Sequence, residues 1–95
     1  MRLIISGRVQ GVFFRVSTRE QALKIAIESS QQITGWVRNK LDGTVEATFQ
    51  GPNEVVDNLI AWCKIGPSGS KVSSVKVINE DIITTEIGYQ ILPTN

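Results

Sequence analysis

The sequence predicts an α+β fold of the split βαβ kind, an antiparallel sheet with two helices on one face and a short extra C-terminal strand. Three observations predict it. The apolar pattern changes from runs and alternation to helical spacing and back, twice along the chain. Breaks bearing glycine or proline punctuate most of these changes. Most of the apolar mass is Ile and Val, which favour sheet.

Residues 1–8 read as a strand, and the run Leu3, Ile4, Ile5 suits a central strand covered on both faces. Gly7 to Phe13 reads as a loop with two glycines four apart. Residues 14–31 turn helical, with Val16, Ala22, Leu23, Ala26 and Ile27 near one face and Arg19, Glu20, Lys24 and Glu28 elsewhere. Residues 33–40 form a strand carrying Trp36 and Val37, and Asp42-Gly43 signals a hairpin. In the returning strand Val45, Ala47 and Phe49 alternate with Thr44, Glu46, Thr48 and Gln50, so the polar set is expected toward solvent. Gly51-Pro52-Asn53 starts a second helix with Asn53 as its expected N-cap and Val55, Val56, Leu59, Ile60 and Cys63 as its apolar stripe. Gly66-Pro67-Ser68-Gly69 ends it. Residues 71–79 form a strand with Val75 and Val77 on one face, and a last short strand lies near 87–92. This order is the ferredoxin-like βαββαβ plan with one strand added.

Ninety-five residues fit one domain, expected to span 1–95 and to fold without metal or disulfides. A net charge of +1, from ten Lys+Arg and nine Asp+Glu, is too balanced for a general nucleic-acid binder but allows a local anion pocket. Cys63 is the single cysteine, so no intrachain disulfide forms. It is expected to be a buried, inert thiol, and Trp36 and Trp62 to be packing residues. With no histidine, His triads, His metal sites and the usual neutral-pH base are excluded. No apolar stretch is long enough to span a membrane, and residues 1–6 do not read as a signal peptide, so a cytoplasmic location is expected.

The chemistry is expected where a glycine-bearing loop joins a strand to a helix with Arg15 in its first turn. Helix N-terminal N–H groups lack internal partners and carry partial positive charge. Gly7 and Gly11 let the loop curl its amides inward, and Arg15 can grip two phosphate oxygens. The same residues also fit a tight turn beside a solvated arginine. Asn39, just before the hairpin, fits either a polar site residue or a turn-shaping one.

Gly7-Arg8-Val9-Gln10-Gly11-Val12-Phe13-Phe14-Arg15 closely resembles the first signature of the acylphosphatase family, and Gly35-Trp36-Val37-Arg38-Asn39 resembles its second. Asp42-Gly43, Val45-Glu46 and Gln50-Gly51-Pro52 fit the family's continuation. The resemblance is strong over residues 3–67 and implies the fold derived above. It implies hydrolysis of acyl phosphates to carboxylate and inorganic phosphate. The loop Gly7, Arg8, Val9, Gln10, Gly11, Val12 and Phe13 would cradle the phosphate through backbone amides. Arg15 would bind the same phosphate, and Asn39 would hold the attacking water. That scheme requires no metal or cofactor, and the family's base rate favours a monomer. Arg38 is expected to be a surface charge pointing away from Asn39.

The chain departs from the family's usual pattern in one place. Residues 16–34, between Arg15 and Gly35, form a longer connection than usual, the extra length falling at 26–32. It is expected to be about one and a half helical turns or a longer loop. Two other readings compete. One is a non-catalytic module of the same fold binding phosphate or carbamoyl phosphate; the other, ranked low, is an RNA-binding domain.

Overall fold

Residues 1–80 and 88–95 are described by a computed structural model. The elements run β1 (Arg2–Arg8), α1 (Phe14–Ser29), β2 (Gly35–Asn39), β3 (Val45–Thr48), α2 (Asn53–Ile65), β4 (Lys71–Ile78) and β5 (Tyr89–Ile91). Of the last strand expected near 87–92, Ile87 lies outside the described residues. The sheet order is β4-β1-β3-β2-β5. The expected antiparallel pairing holds for the first four strands, and β5 then joins β2 in parallel, so the complete sheet is mixed.

Period-2 alternation sets the two faces of the sheet. Leu3, Ile5, Val37, Val45 and Ala47 are fully buried on the face that meets the helices. Tyr89 joins them with its ring stacked on Phe49 at 5.4 Å, and its hydroxyl donates to the Trp36 carbonyl at 3.0 Å. Phe49 therefore offers no exposed ring for stacking a base. The helices meet where Phe14 of α1 packs on Trp62 of α2, ring centroids 5.6 Å apart. Cys63 is buried beneath them, and burial pushes its thiol pKa up to about 12, which leaves it protonated and unreactive near neutral pH.

Four expectations change here. The buried face of α1 is Phe14, Thr18 and Ala22, an i, i+4 row, whereas Val16, Leu23 and Ile27 are exposed. Thr18 enters the core because its hydroxyl donates to the Phe14 carbonyl at 2.7 Å and so is satisfied. The α2 N-cap is Pro52, not Asn53, which is the first helical residue, and no side chain caps this end. Glu46 and Thr48 are 1% exposed rather than solvated. Register explains Glu46: it pairs with Ile4 on one side and Arg38 on the other. Its carboxylate accepts from Arg2 Nη1 at 3.0 Å and Arg38 Nε at 2.8 Å. Arg2 Nε also lies 3.0 Å from Glu80 Oε1, an ion pair without hydrogen-bond alignment. Arg38, expected as a surface charge pointing away from Asn39, does lie on the opposite face but is paired there with Glu46, with its guanidinium 4.7 Å above the Trp36 ring.

The extra length at 26–32 is mostly helix. α1 continues to Ser29, and Ser30 turns left-handed at φ 54, its N–H bonding back to the Ile27 carbonyl. Gly7 and Arg8, read both as the end of the first strand and as the start of the loop, belong to β1 and pair with β4 across a register shift at Ser6/Gly7. Gly7 has φ +122, and a Cβ there would sit 2.1 Å from the Lys71 carbonyl oxygen and 2.7 Å from the Ser73 nitrogen. Both are backbone atoms of the next strand and cannot swing aside. Gly7→Ala should therefore cost at least about 2 kcal/mol of folding stability, from the clash and the positive φ together. Urea denaturation checks it, and an unchanged midpoint would refute the close approach.

Candidate active site

The connection from β1 to α1 is residues 9–13. Val9 is buried and anchors one end, and Phe14 anchors the other. Between them Gly11 (φ 75) and Phe13 (φ 60) are left-handed on either side of Val12. This curls the backbone in the manner of an anion-binding nest. For Phe13 the conformation costs about 1 kcal/mol or more, strain of the kind that a site retains. Phe13 is the N-cap of α1 and is 79% exposed. No side chain caps this helix end, and no acidic residue stands in its first turn. The first-turn N–H groups thus keep their donor capacity and partial positive charge.

Asn39 reaches the same place from the sheet. It ends β2 two residues after the buried Val37, so it shares the helix-side face, whereas Arg38 lies on the opposite one. Its backbone is held on both sides: it pairs with Val45 of β3, and its carbonyl accepts from the Asn95 N–H at 3.0 Å. The tail continues the pairing beside β2, with Leu92 N–H donating to the Val37 carbonyl and Leu41 N–H to the Asn95 carbonyl, each at 2.9 Å. At the hairpin tip Asp42 accepts from the Thr44 hydroxyl at 2.6 Å and the Thr44 N–H at 3.0 Å, which holds its pKa below the usual carboxylate value.

Val9, Gly11, Phe13, Phe14, Arg15, Val16 and Asn39 together line a cleft of about 290 Å³. The sequence-predicted residues Arg15 and Asn39 thus meet, although 24 positions separate them. Arg15 is half-buried and is the sole charged residue on the described wall. Among the described residues neither its guanidinium nor the Asn39 side-chain amide has a hydrogen-bond or ion-pair partner. Two polar groups without partners thus converge on a positively biased helix end, an arrangement chemically suited to an anion and a second polar molecule. A larger cleft of about 420 Å³ lies between Met1, Phe49 and Glu80, but Asp57 and Glu80 on its wall oppose an anion.

Not every predicted loop residue lines the cleft. Gly7 and Arg8 belong to the strand, and Val12 packs on the core. Gln10 turns its side chain to the hairpin, donating to the Lys40 carbonyl at 2.7 Å and the Thr44 carbonyl at 2.8 Å. Neither this bridge nor the Asn95 brace was foreseen. A lone amide side chain in an otherwise apolar and glycine-rich loop was the available signal for the first; the tail carried none.

The described residues contain no group of three or more His, Cys, Asp or Glu poised for a metal, and no helix long and apolar enough to cross a membrane. An acylphosphatase family model matches residues 1–91. An acylphosphatase of Pelotomaculum thermopropionicum is 44% identical over 89 residues, which cover 94% of this chain and 90% of that one. The crystal structure of acylphosphatase from Bacillus subtilis superposes with TM-score 0.83 at 32% identity, covering 96% of this chain and 94% of that one. Full-length HypF, solved in a phosphate- and nucleotide-bound form, contains a segment similar at TM-score 0.71 and 26% identity, 12% of its own chain. Sequence and architecture agree along almost the whole length, and the chain belongs to the acylphosphatase family.

Proposed function

We propose that this protein hydrolyses the carboxyl–phosphate bond of acyl phosphates, with Arg15 and the loop amides holding the phosphate and Asn39 orienting the attacking water. The observation that carries the assignment of roles is the convergence of an unpaired guanidinium and an unpaired carboxamide on the uncapped N-terminus of α1. The fork of Arg15 suits two phosphate oxygens, and the amides of the curled loop and first helical turn, from Val9 and Gln10 onward, suit the rest. Gly7, Arg8 and Val12 serve this cradle by fixing its ends and its base.

The chemistry needs little more. The water oxygen bonds phosphorus as the phosphorus–oxygen bond to the carboxylate breaks, and the carboxylate leaves with the electron pair. The water's proton passes to a non-bridging phosphate oxygen. Because the leaving group is already good, positioning and a fixed positive field supply the catalysis, and no side-chain base is required. A chain without histidine is suited to that division of labour. The lone buried thiol fits work in the cytoplasm.

The likeness to a HypF segment favours a second reading, a non-catalytic phosphate or carbamoyl phosphate module. Turnover separates the two. Purified protein with benzoyl phosphate and a chelator should release benzoate and inorganic phosphate. A folded protein that binds phosphate without turnover would overturn the hydrolase reading in favour of the module.

A further inference from the structure

We propose that Gln10 is a positioning residue whose side chain ties the phosphate cradle to the β2–β3 hairpin and so sets where Asn39 stands relative to the phosphate. The inference rests on the hydrolase reading above. The cradle lies between β1 and α1, whereas Asn39 ends β2, and 30 and 34 positions separate Gln10 from its two hairpin partners. The Gln10 amide nitrogen carries two hydrogens, and both are used, at 2.7 Å to the Lys40 carbonyl and 2.8 Å to the Thr44 carbonyl. These carbonyls stand on the two arms of the hairpin at its root, and Lys40 directly follows Asn39. Among the described residues they are the hydrogen bonds joining residues 9–13 to the hairpin.

The hairpin does not need Gln10 for its own integrity. The Thr44 carbonyl also accepts from the Lys40 N–H at 2.9 Å, and the Lys40 carbonyl from the Gly43 N–H at 3.1 Å. Without Gln10 each carbonyl keeps a backbone donor. What disappears is the tether across to the cradle, and with it the fixed offset between bound phosphate and held water. A displacement near 1 Å between reacting groups costs on the order of 10²-fold in rate.

The experiment is a double-mutant cycle on benzoyl phosphate hydrolysis, with inorganic phosphate binding measured on each variant. Gln10→Ala should lower kcat by roughly 10- to 100-fold, while phosphate affinity changes by less than about 3-fold. In an Asn39→Ala background the same substitution should change kcat by less than about 3-fold, because the group it positions is already gone. Gln10→Met keeps much of the side-chain length but removes both donors without adding a charge beside the phosphate, and it should reproduce the kcat loss even if the alanine variant folds poorly. Equal kcat losses with and without the Asn39 amide would overturn the proposal, as would phosphate affinity falling in step with kcat, or no loss at all. A wild type without turnover would overturn the hydrolase reading and this role with it; failure of the cycle in an active wild type overturns this role alone.

Discussion

Arg15→Ala is expected to lose most of the protein's affinity for inorganic phosphate, by tens- to thousands-fold, and nearly all turnover. A charged, hydrogen-bonded partner removed from a partly desolvated site typically costs about 2–5 kcal/mol. The fold should hardly notice. Arg15 has no ion pair among the described residues, so its removal should change stability by less than about 0.5 kcal/mol. That contrast separates a binding role from a structural one. Arg15→Lys should fail substantially as well, because an ammonium is a point charge and cannot reproduce the planar two-point grip. Titration calorimetry with phosphate, beside a urea curve for each variant, checks both statements. Near-normal phosphate saturation by Arg15→Ala would remove Arg15 from the site.

The order of elements was legible because each break falls at a residue with a conformational reason. Gly43 takes φ 92 at the hairpin tip, and Gly11 takes φ 75 in the cradle. Which face of an element is buried was less legible, because burial follows satisfied polarity as well as apolarity. Thr18 is fully buried once its hydroxyl returns to the preceding turn, while Ile27 stays 80% exposed on the far side of the same helix. Glu46 obeys the alternation of its strand, yet it is buried because Arg2 and Arg38 close over it from the neighbouring strands. No local pattern encodes that cover, since the two arginines lie 44 and 8 positions away.

The site divides along the same line. The loop and Arg15 are adjacent in sequence, and a strand-to-helix junction suffices to bring them together. Their meeting with Asn39 depends on β3 standing between β1 and β2, which register decides. The longer connection at 26–32 leaves that register untouched, because its residues are spent on α1 and its C-terminal turn. The side-chain bond from Gln10 and the tail beside β2 follow from tertiary approach alone, so the chain's local signals are silent on both.

Asn39→Ala should lower kcat for benzoyl phosphate by roughly 10²–10³, with a much smaller change in substrate binding. The asymmetry follows from what the residue holds. In the proposed mechanism the phosphate is gripped by Arg15 and the amides whether or not water is in place, whereas the Asn39 amide orients a molecule that matters only as the new bond forms. Its backbone pairs with Val45 and accepts from Asn95, contacts that alanine retains. Its side chain has no partner among the described residues. Truncation should therefore leave the hairpin intact and the urea midpoint nearly unchanged. Asn39→Asp is the sharper variant: it keeps the shape but sets a carboxylate near the incoming phosphate, so it should weaken phosphate binding where alanine does not. If kcat barely moved while stability fell, Asn39 would be shaping the turn, and the water would need another holder among the groups lining the cleft.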